Sequence, residues 1–322
     1  MGARDGRDHR QMQRRTGVRA LTVAGTAVGA ATGLAAAIGM VVTAEGLIAR
    51  ERLVATRLAS AGARSDTFGG DCAGPPIALG MMGDSLAVGY GAESPDDAPG
   101  VLIAQALVEA SGRPVVLTNV AVVGAASAAL IRQLAHLRME TSPDVVVIMV
   151  GANDVLHLRG LTEALWPLSA TVKQLRRDGA QVVVATCPDL GTVHPFSQPL
   201  RFFLHWYSRV LATGQAIVVL RAGGRSVSLA DTLGRLFRLD PDDLFSAHDH
   251  LHPSSIGYVA AAAVILPSVR VAAGYPLRED AQVHHRVYRK GSHHPLAWWA
   301  FRASRRVGAR LAAYESTLEP AG

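Results

Sequence analysis

Residues 144–150 read Asp-Val-Val-Val-Ile-Met-Val, and this stretch decides the fold. The six residues that follow the aspartate are all apolar, with no polar residue at alternate positions. A strand with one face in water would alternate apolar and polar side chains, because successive side chains point to opposite faces of the sheet. The unbroken apolar run therefore predicts a strand that is buried on both faces, in the middle of a parallel sheet.

The same order of a short apolar run, a turn and a longer stretch of helical period repeats on both sides of this strand. Strands that alternate with helices of this length predict a parallel sheet covered by helices on both faces, which is an α/β fold. The five runs that we predict to be strands are 77–82, 115–122, 144–150, 180–186 and 226–230, and the helical stretches lie near 98–111, 126–138, 162–178 and 200–222.

Polar residues and a glycine follow these strands where each one ends. Ser85 lies in Gly-Asp-Ser-Leu after the first run, Gly124 follows the second, and Asn153 follows the third in Gly-Ala-Asn-Asp. Near the end of the predicted domain, Asp249 and His252 occur in Asp-His-Leu-His-Pro-Ser. Because parallel sheets of this kind bind their substrates at the carboxyl ends of the strands, we expect these residues to meet at one edge.

These residue types are the ones that acyl transfer requires. A serine hydroxyl becomes an effective nucleophile when an imidazole takes its proton, and a carboxylate fixes the tautomer of that imidazole. Ser85, His252 and Asp249 are the candidates for these three roles. The negative oxygen of a tetrahedral intermediate needs hydrogen-bond donors. The backbone N–H groups of Ser85 and Gly124 and the side-chain amide of Asn153 are the candidate donors.

The four segments, in this order and spacing, resemble the motifs of the SGNH (GDSL-type) hydrolase superfamily. The resemblance covers roughly residues 76–273, and the surrounding sequence is similar to an actinobacterial (mycobacterial) branch of exported GDSL-like esterases. It implies a flavodoxin-like three-layer α/β/α sandwich with a central five-stranded parallel sheet. It also implies a hydrolase that needs no metal or other cofactor, with Ser85, Asp249 and His252 as catalytic residues and Ser85, Gly124 and Asn153 as the oxyanion hole.

The function that we expect is a serine esterase that hydrolyses carboxylic esters with short to medium acyl chains, or the O-acetyl groups of glycans. A lipase or thioesterase that acts on envelope lipids is one alternative, and a non-catalytic envelope binding protein on the same fold is another. The intact set of candidate catalytic residues argues against the binding protein. Five apolar residues are candidates for the wall of the acyl pocket, namely Leu156, Leu158, Val193, Phe196 and Phe202.

Some of these residues also have structural interpretations. Ser85 follows an aspartate and could be no more than an N-cap residue, and Asn153 with Asp154 could be an ordinary turn pair. The presence of all four segments in register favours the catalytic interpretation of Ser85 and Asn153. We interpret Asp154 as a residue that braces its loop.

The histidines and cysteines allow two further hypotheses. His248, His250 and His252 alternate along the chain and could face one side as metal ligands, but no cysteine cluster or second carboxylate accompanies them, and the spacing from the aspartate favours the triad. Cys72 precedes the first predicted strand and Cys187 follows the fourth. Because these positions lie at opposite ends of a parallel sheet, we predict two free thiols.

The net charge of +6 is concentrated at the two ends of the 322-residue chain. Residues 1–19 carry six Arg against two Asp, and residues 274–322 carry eight Lys or Arg against four Asp or Glu. The 254 residues between them carry 18 basic and 20 acidic side chains, so the predicted domain is nearly neutral. This distribution and the absence of a P-loop motif argue against a nucleic-acid partner or a phosphodiester substrate.

The uncharged residues 20–44 are long enough to span a bilayer, and the arginines before them favour a cytoplasmic N-terminus. A cleaved signal peptide and a buried or surface helix are the alternatives. The predicted organisation is a basic tail 1–19, a membrane or signal-anchor helix 20–49, a linker 50–75, the hydrolase domain 76–273 and a basic extension 274–322. We therefore expect a membrane-anchored or exported enzyme whose catalytic domain is extracytoplasmic.

Overall fold

The computed structural model describes residues 63–276 of the chain. The predicted hydrolase domain lies entirely within these residues. The basic tail, the predicted membrane helix, the first part of the predicted linker and the C-terminal extension after residue 276 lie outside the described residues.

The described residues form one six-stranded sheet, whose strands are β1 (Asp66–Phe68), β2 (Ile77–Gly83), β3 (Val115–Asn119), β4 (Val145–Met149), β5 (Gln181–Ala185) and β6 (Arg225–Val227). The strands lie in the order β1-β3-β2-β4-β5-β6, and all neighbours are parallel except β1 and β3. Counted along the chain, the five parallel strands have the flavodoxin-like order 2-1-3-4-5. The chain reverses direction across the sheet between β2 and β4, where this fold forms its ligand crevice.

All five predicted parallel strands are present, but two of them, β3 and β6, end three residues earlier than the apolar runs suggest. The Oδ1 of Asn119 accepts a hydrogen bond from the N–H of Ala121 at 3.0 Å, which turns the chain at the end of β3. β6 ends at Val227 because Ser228 is the N-cap of the next helix and accepts the N–H of Asp231 at 3.3 Å. In both places, a hydrogen bond between a polar side chain and nearby backbone takes the place of the backbone hydrogen bonds between strands.

The sixth strand, β1, corrects the prediction of a linker over 50–75. Asp66, Thr67 and Phe68 pair antiparallel with β3 and extend the sheet at its edge. The segment has no apolar run that would indicate a strand, because an edge strand of three largely exposed residues needs none.

Helices cover both faces of the sheet. They are α1 (Ser85–Val88), α2 (Pro99–Ser111), α3 (Leu130–Glu140), α4 (Ala152–Leu156), α5 (Leu161–Arg177), α6 (Leu200–Arg221), α7 (Leu229–Thr232), α8 (Gly234–Leu239), α9 (Pro241–Leu244) and α10 (Ser255–Ala273). The helices α3, α5 and α6 pack on one face, and α2 and α10 pack together on the other. The predicted three-layer α/β/α fold is thus confirmed.

The central strand β4 is buried on both faces, as its sequence predicts. Val146 and Ile148 pack into the cluster formed with α3 and α5, and the alternate residues of the strand face the opposite side, where α10 contacts β4. No residue of β4 is more than 1% exposed. Helices therefore pack against both faces of this strand, and this packing positions the loop that follows it.

One helix of the described region, α10, is long and apolar enough to cross a membrane by length and composition, with a mean hydropathy of 1.8. It packs against α2 and the sheet, and Tyr258, Ile265 and Val269 on it are fully buried. Core helices meet the same criterion, so this helix is weak evidence for a membrane span.

Candidate active site

The turn between β2 and α1 carries Ser85. Gly83 at the end of β2 has a φ of +137°, and a Cβ at this position would lie 1.8 Å from the carbonyl oxygen of Met149. Only glycine fits this close approach of two strands. Asp84 is the N-cap of α1, and its Oδ1 accepts the N–H of Leu86 at 2.9 Å. Ser85 is therefore the first helical residue, where the backbone N–H has no acceptor within the helix.

A buried glutamine on α3 holds the same turn from the opposite side. The Oε1 of Gln133 accepts the N–H of Gly83 at 2.8 Å, and its Nε2 donates to the carbonyl oxygen of Gly83 at 2.7 Å. Gln133 is 4% exposed, so both hydrogen bonds are shielded from water. The amide thus fixes the backbone two residues before Ser85.

His252 forms hydrogen bonds with both of its predicted partners. Its Nε2 lies 2.9 Å from the Oγ of Ser85, and its Nδ1 lies 2.6 Å from the Oδ2 of Asp249. A carboxylate can only accept, so Nδ1 carries the hydrogen and Nε2 is left to accept the serine proton. This is the arrangement that a general base needs.

Hydrogen bonds to its own backbone hold the loop that carries His252 in place. The Oδ1 of Asp249 accepts hydrogen bonds from the N–H groups of Leu251 and His252 at 2.9 and 3.0 Å. One carboxylate oxygen therefore bonds to the backbone of the turn, and the other, Oδ2, bonds to the imidazole. His250 in this turn has a φ of +50°. The carbonyl oxygen of His252 also accepts the N–H of Ser246 at 2.8 Å. These contacts fix the imidazole relative to its carboxylate.

Two further residues pack against His252. The ring of Tyr90 lies 4.6 Å from the imidazole, measured between ring centroids, and its carbonyl oxygen accepts the hydroxyl of Tyr258 at 2.7 Å. Gly91 has a φ of +98°, and a Cβ there would lie 2.8 Å from the Cβ of His252. The segment after α1 therefore limits where the imidazole can sit.

The loops after β3 and β4 bring Gly124 and Asn153 to the same edge of the sheet. The N–H of Val122 donates to the carbonyl oxygen of Gly83 at 3.2 Å, which places the β3 loop beside the serine turn. Gly124 has a φ of +79°. The Nδ2 of Asn153 donates to the carbonyl oxygen of Ala125 at 3.1 Å, and its second hydrogen is left for another acceptor.

Asp154 braces this loop, as its interpretation as a structural residue predicts. Its Oδ2 accepts both the N–H and the hydroxyl of Ser127, at 2.9 and 2.8 Å. Burial raises the pKa of Asp154, because a low-dielectric environment disfavours its charged form.

The acidic groups around the serine turn differ in their protonation. Burial raises the pKa of Asp84 to about 7, with the hydrogen bond from Leu86 opposing the shift. Burial also opposes ionisation of Asp249, but the hydrogen bonds from His252 and from the backbone outweigh it and hold the pKa of this carboxyl below its ordinary value. Burial raises the pKa of the Cys187 thiol well above its ordinary value. Asp249 is therefore the carboxylate that stays charged beside the imidazole.

An apolar cavity of about 50 Å³ adjoins the serine and histidine segments. Its lining includes Leu86, Leu251 and Pro253, which are the chain neighbours of Ser85 and His252. Leu190 and Val193 close it from the loop after β5. Of the five apolar residues that the sequence suggested for an acyl pocket, Val193 lines this cavity, whereas Leu158 and Phe202 are exposed.

The other histidines and the cysteines considered in the sequence analysis take no part in the hydrogen bonds between Ser85, His252 and Asp249. His248 and His250 are exposed, and both cysteines are free thiols. Within residues 63–276, no three His, Cys, Asp or Glu side chains form a group that could hold a metal ion.

Sequence reasoning missed Tyr90, Gly91 and Gln133. Gln133 gives no sequence signal, because it lies on a helix 50 residues from the glycine that it contacts. The Tyr-Gly pair at 90–91 follows the serine motif closely, but nothing in the sequence indicates that it contacts His252, which lies 161 residues after Gly91.

Comparison with known proteins gives consistent matches. The model of the GDSL-like Lipase/Acylhydrolase family matches residues 81–260. The chain is 40% identical over 217 residues to the GDSL-like esterase Rv1075c of Mycobacterium tuberculosis, covering 67% of this chain and 68% of that protein. The crystal structure of TesA is similar in fold, with a TM-score of 0.50 and 19% identity, over 61% of this chain and 99% of that one.

Proposed function

Because the chain belongs to the GDSL-like lipase/acylhydrolase family and is a carboxylic ester hydrolase, we propose that Ser85, His252 and Asp249 are its catalytic triad. One observation carries this proposal, namely the continuous hydrogen-bonded line from the Oγ of Ser85 through both ring nitrogens of His252 to Asp249. Each group has the partner that its chemical role requires.

The proposed reaction begins with attack of the Ser85 Oγ on the ester carbonyl carbon while the Nε2 of His252 takes the hydroxyl proton. The tetrahedral intermediate then collapses, His252 gives that proton to the leaving alcohol, and an acyl-serine remains. Water then attacks the acyl-serine while His252 takes its proton. Collapse of the second tetrahedral intermediate releases the carboxylic acid, and His252 returns the proton to the Oγ of Ser85. Asp249 keeps its charge throughout and stabilises the imidazolium, which its lowered pKa supports.

The proposed oxyanion hole consists of the N–H groups of Ser85 and Gly124 and the side-chain amide of Asn153. Support comes from the position of Ser85 at the first residue of α1 and from the second, unused hydrogen of the Asn153 amide. The positive φ of Gly124 is a conformation that favours glycine. Each preorganised donor of this kind contributes roughly 3–4 kcal/mol of transition-state stabilisation.

We propose that the apolar cavity takes the acyl group. A cavity of about 50 Å³ has room for only a few non-hydrogen atoms, so we propose that its occupant is a short acyl group such as acetyl. This supports short acyl chains over the long chains of a lipase substrate. Turnover of p-nitrophenyl esters is expected to fall steeply beyond the shortest chains, and a preference for long chains would contradict this assignment.

The test of the triad is the Ser85→Ala variant. Removal of the nucleophile is expected to lower ester hydrolysis by at least about 10³-fold with the fold intact, because the triad acts as a unit. Ser94→Ala is the matched control, because Ser94 is a half-buried N-cap residue outside the site and is expected to leave turnover unchanged. Near-wild-type turnover in the purified Ser85→Ala variant would rule out the proposed nucleophile.

We further propose that residues 20–49 form a membrane or signal-anchor helix and that the hydrolase domain acts outside the cytoplasm. The uncharged stretch 20–44 and the arginines before it support this proposal. Cell fractionation tests it. The intact chain is expected in the membrane or exported fraction, and recovery only from the soluble cytosolic fraction would contradict the proposal.

A further inference from the structure

A buried carboxylate outside the proposed triad lies between two walls of the apolar cavity proposed for the acyl group (the acyl cavity). The side chain of Asp189 is fully shielded from solvent, and Asp189 itself lines the cavity. Leu190 and Val193 of the loop after β5 form one wall, and Leu233 and Phe237 form another. No step of the proposed reaction uses this carboxylate. Because an unpaired buried charge is costly, its partners indicate what it does.

Three basic side chains and one backbone N–H group surround the carboxylate of Asp189. Its Oδ1 accepts the N–H of Gly191 at 2.9 Å and lies 2.8 Å from the Nδ1 of His205. Its Oδ2 accepts a hydrogen bond from the Nη2 of Arg238 at 3.2 Å and lies 3.6 Å from the Nε of Arg209. A carboxylate only accepts hydrogen bonds, so His205 donates from Nδ1. The two guanidinium groups balance the buried negative charge.

These basic partners come from two different helices, α6 and α8. His205 and Arg209 lie on α6, and Arg209 also bonds to the carboxylate of Asp231 on α7, at 2.5 Å. Arg238 lies on α8. A Cβ at Gly191 would lie 2.5 Å from the Cβ of His205, so the loop after β5 already touches α6 and cannot move closer to it. The loop is therefore a fixed wall of the acyl cavity, and Arg238 joins α8 to it.

The other wall, α8, is a short helix that buries one large side chain. It spans six residues, and its main neighbours are α7, α9 and the turn at 190–192. The buried ring of Phe237 lies edge-on to Phe245, with the ring centroids 4.9 Å apart. Both leucines of the helix are exposed, by 43% and 71%, so they add little to its packing. The Phe237 contact and the ion pair from Arg238 to Asp189 are therefore the main interactions that hold this wall in place.

A longer acyl chain requires more space than the acyl cavity offers. The cavity of about 50 Å³ holds only a few non-hydrogen atoms, so added methylene groups must displace part of the wall. The loop after β5 is blocked by α6, whereas the outer side of α8 faces solvent. Outward movement of Phe237 would lengthen the hydrogen bond of 3.2 Å from Arg238 and leave the buried Asp189 carboxylate with a weaker partner. The ion pair therefore opposes the movement that a longer chain needs.

We propose that the ion pair between Arg238 and Asp189 holds α8 closed against the acyl cavity and thereby limits the length of the acyl chain that the enzyme accepts. The inference rests on the proposed function, because it requires that the acyl group occupies this cavity. It goes further by naming the residues that set the limit. Arg238 is a positioning residue, since it contacts neither the substrate nor the triad and acts through Phe237, its neighbour in the chain.

The experiment compares three esters that share one alcohol, namely p-nitrophenyl acetate, butyrate and hexanoate. The ratio of kcat/KM for hexanoate to kcat/KM for acetate is measured for the wild type, Arg238→Gln, Arg238→Lys and Arg235→Gln. Glutamine removes the charge of Arg238, whereas lysine retains it. Arg235→Gln is the matched control, because Arg235 is an exposed arginine of the same helix that forms no ion pair within residues 63–276.

Arg238→Gln is expected to raise the hexanoate-to-acetate ratio about two- to fivefold, the range for loss of one ion pair whose basic partner is exposed. Arg238→Lys should retain most of the wild-type selectivity, and Arg235→Gln all of it. An unchanged ratio in Arg238→Gln would overturn the inference. An equal loss of activity toward all three esters would also overturn it, because the ion pair would then support the fold without selecting the acyl chain.

These outcomes are distinct from failure of the proposed function. Wild-type enzyme that prefers the hexanoate to the acetate would contradict the assignment of the cavity to a short acyl group, and the role of the ion pair with it. Wild-type enzyme that prefers the acetate, together with an Arg238→Gln variant of identical selectivity, would leave the triad and the acyl cavity standing and remove only the role of the ion pair.

Discussion

The side-chain amide of Gln133 makes both of its hydrogen bonds to the backbone of one residue, Gly83. It accepts from the Gly83 N–H and donates to the Gly83 carbonyl oxygen, as a neighbouring strand would. The serine turn follows at once, so a side chain of α3 takes the place of strand pairing where β2 leaves the sheet. We infer that Gln133 is a positioning residue for Ser85.

Replacement of Gln133 by methionine tests this role. The N–H of Gly83 would lose its buried acceptor, at a cost of about 1–3 kcal/mol in the free energy of unfolding. The carbonyl oxygen of Gly83 keeps its bond from Val122, so the turn is expected to loosen rather than unfold. A displaced nucleophile should lower kcat about tenfold or more with little change in KM.

The control for this variant is Gln174→Met, which removes a glutamine that contacts Arg138 at the surface. It is expected to change the free energy of unfolding by less than about 0.5 kcal/mol and to leave kcat unchanged. A Gln133→Met enzyme that is less stable but fully active would show that the amide supports the fold alone.

Gly91→Ala is expected to lower activity by crowding the histidine. A methyl group at this position would lie 2.8 Å from the Cβ of His252 and 2.9 Å from the carbonyl oxygen of Pro253, so the imidazole must shift. We expect a decrease in kcat of about 10- to 100-fold, because small displacements of a catalytic group are costly. Steady-state kinetics with a short-chain ester measure the effect.

Gly112→Ala is the matched control for backbone strain. Gly112 also has a positive φ, of +64°, but nothing lies within 4 Å of its missing Cβ. Both variants should lose about 1–2 kcal/mol of stability from the left-handed conformation. Equal activity in the two variants would contradict the assigned contact with His252.

The raised pKa of Asp84 predicts that the free energy of unfolding decreases as the pH rises. Its pKa in the folded protein is about 7, above the ordinary value of 3.8, so between these values the folded state binds the proton and the unfolded state does not. Stability therefore falls as the pH rises from about 4 to about 7 and then levels off. Between pH 5 and pH 8 this contribution amounts to about 2–3 kcal/mol.

The Asp84→Asn variant isolates this contribution, because asparagine cannot titrate and retains an oxygen to cap α1. Urea unfolding at pH 5 and pH 8 should show a smaller decrease for the variant than for the wild type. Asp71→Asn, at an exposed position, is the control and should follow the wild type. Identical pH dependence in wild type and Asp84→Asn would refute the buried titration.

Removal of divalent metal ions is expected to leave hydrolysis unchanged. The nucleophile, the base and the oxyanion donors of the proposed mechanism are all groups of the chain, so no step requires a cation. Turnover measured after incubation with EDTA should equal that of the untreated enzyme. A loss of turnover that zinc or manganese restores would instead support the hypothesis that His248 and His250 belong to a metal site.

The sequence determined those features that depend on neighbouring residues. The apolar run at 144–150 predicted a central strand, because burial on both faces removes the need for polar positions. Asp249 and His252 are three residues apart and lie in the same turn, so the hydrogen bond between them requires no distant segment of the chain. The five parallel strands and the helices between them follow from the same local periodicity.

Tertiary structure decided the contacts between distant parts of the chain. The Oγ of Ser85 and the Nε2 of His252 meet across 167 residues, and Gln133 reaches Gly83 across 50. The pairing of β1 and the packing of Tyr90 on His252 likewise depend on the order of strands and on which helices share a face. Periodicity in a sequence reports whether a side chain is buried, but it does not report which distant residue buries it.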